Sequence, residues 1–290
     1  MGPGKEQVLE WERRWSVPAA LAAFAAVLLV IGAIVIVTQG VGTGSGDATL
    51  LQDVNNHRAA QMISSILQAI GVALLALPLY YLFRAARVRS EKMRAQLVGV
   101  VVAAPLFLAG LAILSGVSTL HAASTFVANE LPRLTAHRIS LSSEHANKLA
   151  SEAIDHAPLR PLAAGFGIAG QLGFVVGMFY TALYAMRTGL LSRFWGSLGM
   201  ALGAVSFLFF QFALLWFVYL GLLLLGRVPG GRPPAWNTGE AVPWPTPGEK
   251  AAASLNPPSD AEEPEPSAAG NGAAPESPSS RERRKRKQRD

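Results

Sequence analysis

The chain lacks cysteine entirely and contains few charged residues. The absence of cysteine among 290 residues excludes disulfides, thiolate metal sites, iron–sulfur clusters and cysteine nucleophiles. Charged residues make up 15% of the chain and hydrophobic residues 51%, whereas a typical globular protein is about 25% charged. Residues 227–290 hold 10 of the 25 Lys and Arg residues and 9 of the 19 Asp and Glu residues. The charges that remain are too few to cover a soluble domain, so the composition predicts a membrane protein.

Five apolar runs are long enough to cross a bilayer. A spanning helix needs about 20 mainly apolar residues, because the hydrocarbon layer is about 30 Å thick and a helix rises about 1.5 Å per residue. The first run is too long for the apolar part of a secretory signal, so we interpret it as a retained helix. The sequence predicts an all-α, polytopic membrane helix bundle of about five transmembrane helices, with spans at residues 17–37, 60–83, 97–120, 161–186 and 196–225.

The fifth run is longer than a bilayer requires. Its charge-free stretch, Phe194 to Gly226, would be roughly 50 Å long as one helix. Two separate spans would need a turn, and the sequence from Ser206 to Gln211 contains no turn-forming residues. The sequence therefore predicts one long helix that tilts or kinks.

The distribution of cations predicts the orientation of the bundle. Cationic short loops tend to remain in the cytoplasm, and five cations lie between Arg84 and Arg94. Arg187 and Arg193 lie in the loop before the fifth span, which would share a side with the segment 1–16. The sequence therefore predicts that segment 1–16 is cytoplasmic. Five spans would then place the C-terminal tail outside.

Residues 227–290 differ in composition from the rest of the chain. They hold 12 of the 19 prolines together with many Ala, Ser, Gly and Glu residues, so they are predicted to form a disordered tail. Its last ten residues carry seven cations and two acids, which predicts binding to anionic lipid or an acidic polymer. No aromatic residue lies among these cations, so sequence-specific nucleic-acid binding is not expected.

Two sets of glycines recur at helical spacing. The segment Gly165 to Gly170 matches the G-x-G-x-x-G dinucleotide pattern but lies within an apolar span without a preceding strand, so we interpret the glycines as packing residues. Glycine at such intervals lets helices approach closely, either within one chain, in a homo-oligomer or against other membrane proteins. The predicted packing residues are Gly170, Gly173, Gly177, Gly196, Gly199 and Gly203.

Six polar residues within the predicted spans are candidates for a functional or structural role. Polar side chains in lipid usually form hydrogen bonds between helices, and the same residue types also line pathways for polar solutes. No Asp, Glu, Lys or Arg lies deep in a span, which disfavours proton relays and ion-coupled carriers. Both readings, interhelical bonding and a polar pathway, concern Gln61, Ser64, Ser65, Gln68, Gln171 and Gln211.

The long loop 121–160 contains a predicted amphipathic helix at about 142–157. His145, Glu152 and His156 share one face of it and have the side chains of a divalent-metal site, but the spacing lacks the density of a metalloprotease motif. Alanines on the opposite face favour an ordinary helix packed on the bundle or the membrane. No cofactor is therefore expected.

The segment Gly189-Leu-Leu-Ser-Arg-Phe-Trp-Gly-Ser-Leu-Gly199, the apolar run after it and residues 226–236 carry a resemblance. Over about residues 10–245 the chain resembles multi-pass bacterial membrane proteins of unknown function. The resemblance implies a helix bundle in the bacterial plasma membrane, surrounded by membrane lipids, with no catalytic residues to carry over.

Three functions remain open from the sequence. The leading hypothesis is a non-enzymatic scaffold or subunit of a membrane assembly. The first alternative is a small-solute permease or channel lined by the amides of the second predicted span. The second alternative is a metal-dependent membrane enzyme that uses the 121–160 loop.

Overall fold

The computed structural model describes residues 4–40, 46–229 and 231–244, and these residues form a bundle of α-helices. The predicted tail beyond residue 244, with its basic block, lies outside the described residues. The helices are α1 (Lys5–Gly40), α2 (Asp47–Asn56), α3 (Arg58–Leu74), α4 (Ala76–Arg89), α5 (Leu97–Asn129), α6 (Leu131–Ala136), α7 (Glu144–Asp155), α8 (Arg160–Arg187), α9 (Arg193–Val205), α10 (Phe210–Leu224) and α11 (Ala235–Thr238).

Four helical stretches in the described part of the chain are long and apolar enough to cross a membrane. They are Lys5–Gly40, Arg58–Arg89, Leu97–Ala136 and Arg160–Arg187. The predicted all-α polytopic bundle is therefore confirmed, and the fold is compatible with a multi-pass membrane protein. The second stretch joins α3 to α4 through Leu75, four residues after Gly71 and three before Pro78. A proline at this position removes one backbone donor from the helix, which accounts for the interruption.

The helices surround two apolar cores. Around the bundle, α1 packs on α3, α3 on α5, α5 on α8, and α8 on α9, while α10 closes the ring against α1. We call the end formed by the start of α1, the end of α4 and the α8–α9 loop the basal end; its core includes Leu82, Phe174, Trp216 and Phe217. We call the opposite end the distal end, where α2, α6 and α7 pack on the last turns of α5 around Phe126.

The predicted single long helix over residues 196–225 is corrected by the structure, which divides this region into α9 and α10. The two helices are antiparallel, because Trp195 near the start of α9 stacks on Tyr219 near the end of α10, with ring centroids 3.6 Å apart. The Trp216 indole also donates to the carbonyl of Trp195 at 3.1 Å. The last predicted span is therefore a helical hairpin whose two ends both lie at the basal end.

The tip of this hairpin, residues 206–209, reaches only the middle of the bundle. Phe210 lies against Phe174, with ring centroids 5.3 Å apart, and Phe174 is in the middle of α8. Helices of 13 and 15 residues are about 20 and 22 Å long, shorter than the roughly 30 Å of the hydrocarbon layer. The physical reason for the break is tertiary. The Gln171 side chain donates to the carbonyl of Ser206, which α9 leaves without a helical partner.

The described part of the predicted disordered tail, 227–229 and 231–244, is also a correction, because it packs on the basal end. The Trp236 indole donates to the carbonyl of Leu190 at 2.9 Å, and the Trp244 indole donates to that of Leu191 at 2.8 Å. The backbone N–H of Val242 donates to the carbonyl of Thr188 at 3.1 Å. The tryptophans supply apolar surface and donors that the average composition of residues 227–290 conceals.

Candidate binding cavity

A cavity of about 330 Å³ lies between the helices at the level of the hairpin tip and is open on one side. Five helices contribute to its wall, and α3 presents one side chain per turn to it because residues 61, 65, 68 and 72 share a helix face. The first turn of α10 lines it as well. The lining residues are Val30, Ile34, Gln61, Ser65, Gln68, Val72, Leu108, Leu111, Ala112, Ser115, Gln171, Phe210 and Gln211.

The structure brings together five of the six polar residues that the sequence singles out: Gln61, Ser65, Gln68, Gln171 and Gln211. The sixth, Ser64, faces away, and its hydroxyl donates to the carbonyl of Ala33 in α1 at 2.9 Å. Ser64 is therefore an interhelical bonding residue, whereas its neighbour Ser65 lines the cavity.

Ser115 of α5 completes the polar lining and was not among the sequence candidates. It lies within an apolar run, and Ala112 and Leu108 precede it by three and seven residues on the same face. This spacing is the only feature of the sequence that points to Ser115. It does not predict a polar site, because the sequence does not show which face of α5 turns towards α3.

Three of the amides in the cavity wall have unused hydrogen-bonding capacity. Ser65 donates to the carbonyl of Gln61 at 3.0 Å, and Gln171 donates to Ser206. Among the described residues, the side-chain amides of Gln61, Gln68 and Gln211 form no hydrogen bond. A primary amide offers two donors and one acceptor oxygen. Gln61 is half-buried, whereas Gln68 and Gln211 are exposed. Amides that lie within a membrane without a hydrogen-bond partner are unfavourable, so the cavity favours a molecule that can pair with them.

The cavity is closed towards the basal end by tightly packed side chains. Phe174, Met178, Trp216 and Phe217 are fully buried there. No Asp, Glu, Lys, Arg or His is among the lining residues. The site therefore offers hydrogen bonds but no charged group that could neutralise a bound ion. Such a lining suits an uncharged polar molecule, because a bound ion would lose its hydration without gaining a counter-ion.

The first glycine set packs against helix α5. A Cβ atom added at Gly170 would lie 2.9 Å from the backbone nitrogen of Leu108, and one at Gly177 would lie 3.3 Å from the Cα of Val101. Gly173 faces Ala104 in the same interface. All three glycines therefore serve the α5–α8 interface within one chain.

The second glycine set packs α9 against α8 and α10. Gly196 and Gly203 face Met186 and Met178 of α8, and Gly199 faces both Ala182 and the ring of Trp216. The absence of side chains here allows α9 to lie between the two neighbouring helices. The hairpin therefore depends on these glycines.

The three metal-site candidates of α7 do not converge. His145, Glu152 and His156 are exposed, and the His156 ring is bonded to the backbone carbonyl of Glu152 at 2.8 Å. Within residues 4–40, 46–229 and 231–244, no group of three His, Asp or Glu side chains is placed to hold a metal ion. The Ser143 hydroxyl accepts from Ala146 N–H at 3.2 Å and caps α7, and Ala146 and Ala150 pack into the distal core.

Comparisons with protein-family models, curated proteins and solved structures find no match to this chain. The bundle and its cavity therefore stand as the basis for a functional assignment.

Proposed function

We propose that this chain is a multi-pass protein of the bacterial plasma membrane that binds a small uncharged polar solute in the central cavity. The observation that carries the proposal is the convergence of Gln61, Gln68 and Gln211 on one cavity with their side-chain amides unpaired. The volume of about 330 Å³ lies at the lower end of the range for small-molecule sites, roughly 300–1,000 Å³. A solute with several hydroxyl or amide groups matches this lining.

The half-length helices favour a permease over a fixed channel. In many transporters, discontinuous helices end near the middle of the bilayer and their ends contribute to the substrate site. Here the first turn of α10 lines the cavity, while the core around Trp216 blocks the way to the basal end. Passage of a solute would require movement of the α9–α10 hairpin. By the positive-inside rule the basal end is cytoplasmic, so the cavity would load from the distal side.

The scaffold hypothesis stays a prediction. Both glycine sets lie in contacts between helices of one chain. The solute-binding proposal needs no catalytic group, and we propose a non-enzymatic protein.

Solvent access to the cavity can be tested with single cysteines, because the chain contains none. Ser65 and Ser64 form a matched pair: they are adjacent, similarly buried and differ in the direction they face. Ser65→Cys in purified protein should react with a small, neutral methanethiosulfonate reagent much faster than Ser64→Cys. Equal reaction rates would mean that the cavity does not admit polar molecules.

Solute binding can be measured by thermal shift against a panel of neutral polyols, amides and ureas. A solute that stabilises the wild type should bind about fivefold more weakly to Gln68→Leu, because one hydrogen bond contributes roughly 1 kcal/mol. Gln96→Leu is the control, since Gln96 is exposed and lies just before α5, outside the cavity. The proposal fails if no solute stabilises the wild type, or if Gln68→Leu binds as the wild type does.

A further inference from the structure

Two adjacent cavities at the basal end lie on either side of a ridge made by Tyr80 and Arg84 of α4. The first, about 340 Å³, lies between α1 and α4 and is mainly aromatic and apolar, with Trp15, Pro18 and Leu77 in its wall. The second, about 680 Å³, lies between the end of α4 and the start of α5. Both cavities include Tyr80 and Arg84, so one elongated molecule could occupy the two together.

The second cavity carries a net positive charge, because two arginines and one acid line it. Arg84 and Arg87 line it and are exposed, and neither forms an ion pair with a described residue. The Arg84 guanidinium lies 4.2 Å from the ring centroid of Trp11, which lines the first cavity, so Arg84 stands between the two cavities. Glu91 is the acid in this wall and is exposed. The buried acid nearby, Glu12, is already paired with Arg89.

The first cavity is lined by residues of the kind found where lipid headgroups meet the hydrocarbon layer. Trp15 immediately precedes the apolar part of α1 and is 47% exposed, and Leu77 is 49% exposed. Tryptophan and tyrosine concentrate at this level in membrane proteins. The apolar cavity matches the acyl chain of a phospholipid, and the cationic cavity beside it matches an anionic headgroup.

We infer that these two cavities form a binding site for one anionic phospholipid molecule. Its phosphate lies beside Arg84 and Arg87, and an acyl chain lies in the aromatic cavity against Trp15 and Leu77. Basic pockets between transmembrane helices are known to bind anionic headgroups. Guanidinium groups suit this role, because their planar donors match phosphate oxygens. This site is separate from the central cavity and does not depend on the proposed solute.

The test measures lipid preference in the full chain. Protein in nanodiscs of phosphatidylcholine is titrated with brominated phosphatidylglycerol, and quenching of tryptophan fluorescence reports binding beside Trp11 and Trp15. We expect Arg84→Gln/Arg87→Gln to weaken binding of the anionic lipid about 30-fold, since each cation near an anionic surface contributes roughly a fivefold factor. The matched control is Lys92→Gln/Arg94→Gln, which removes the same charge from the neighbouring loop, outside both cavities; it should bind as the wild type does.

Two further measurements test whether the bound molecule is a phospholipid and whether it occupies the aromatic cavity. Inorganic phosphate at millimolar concentration should not displace the lipid, because it lacks the acyl chain; displacement would assign the site to free phosphate instead. Trp15→Ala should weaken binding of brominated lipid, measured by native mass spectrometry because the variant removes a fluorophore. Equal losses in the two double variants would show a general surface charge effect and overturn the site, as would equal quenching by brominated phosphatidylcholine.

Discussion

Single glycines set how closely α8 approaches α5. A Cβ atom added at Gly173 would lie 2.9 Å from the Cβ of Ala104, whereas one added at Gly165, on the same helix, would meet nothing within 4 Å. The two positions share an element and a residue type and differ only in what faces them. The same substitution at both positions therefore separates the effect of packing on stability from the effect of helix propensity.

We expect Gly173→Leu to lower the free energy of unfolding by about 1–3 kcal/mol, because the added side chain forces the two helices apart. Gly165→Leu should be neutral or stabilising, since leucine favours a helix by up to about 1 kcal/mol over glycine. Unfolding of both variants in detergent, followed by circular dichroism, measures the difference. Equal destabilisation would mean that helix propensity, and not the α5 contact, governs the region.

For single residues, the sequence predicts which side chains share one face of a helix, but not which helix that face contacts. The spacing of the four polar residues of the second span predicts that Gln61, Ser64, Ser65 and Gln68 share one helix face. The structure brings three of them to the cavity, whereas Ser64 faces α1. Gln171 and Gln211 are far apart in the chain, and no local pattern brings them to that side. Their convergence depends on where α10 begins, and the local sequence does not determine this.

The α9–α10 hairpin is the element that the sequence describes least well. The tip residues Ser206–Phe209 include neither glycine nor proline, so local turn chemistry predicts a continuous helix. The break instead depends on distant groups, namely the amide of Gln171 on the Ser206 carbonyl and the contact of Trp216 with Gly199. The four other spans follow from hydropathy alone, because length and composition suffice for a helix that crosses the whole bilayer.

A half-depth hairpin returns the chain to the side from which it came, and cysteine labelling can test this. Ser90→Cys and Thr238→Cys should react with an impermeant maleimide from the same side of the membrane, because Arg89 bonds to the carbonyl of Ala235 at 2.9 Å. Ser142→Cys, before α7, should react only from the other side. In intact cells the positive-inside rule predicts labelling of Ser142→Cys alone.

The controls are membranes opened with detergent, where all three single-cysteine variants should react. Labelling of Thr238→Cys together with Ser142→Cys in intact cells would restore a fifth full span and contradict the hairpin. Labelling of Ser90→Cys and Thr238→Cys alone would keep the hairpin and reverse the orientation.

Across the whole molecule, the segment around α11 ties the two ends of the described chain together. Trp236 stacks on Tyr81, which in turn stacks on Trp11, with ring centroids 6.0 and 5.1 Å apart. Arg89, whose side chain is fully buried, bonds to both Glu12 and the carbonyl of Ala235. Removing this segment would expose the rings and take one bond from a buried guanidinium, which is costly.

We therefore expect two truncations to differ. Deletion of residues 245–290 should leave the unfolding midpoint unchanged, because Leu255 is their only large apolar side chain. Deletion of residues 231–290 should lower stability by about 3 kcal/mol or more, comparable to the loss of one buried tryptophan. Thermal unfolding of both chains in the same detergent makes the comparison. Equal midpoints would mean that the packing of Trp236 contributes nothing.

The hairpin also makes the two leaflets of the bilayer unequal. In the described chain, the basal leaflet holds cross-sections of α1, α4, α5, α8, α9 and α10, while α1, α3, α5 and α8 cross the other. Two further helices, each about 10 Å across, make the bundle a wedge that is wider at the basal side. A wedge inserted into a flat membrane strains the lipids around it, and that strain is relieved where the membrane curves away from the wider side. With the basal end in the cytoplasm, as the positive-inside rule predicts, we expect the protein to favour membrane whose cytoplasmic leaflet is convex.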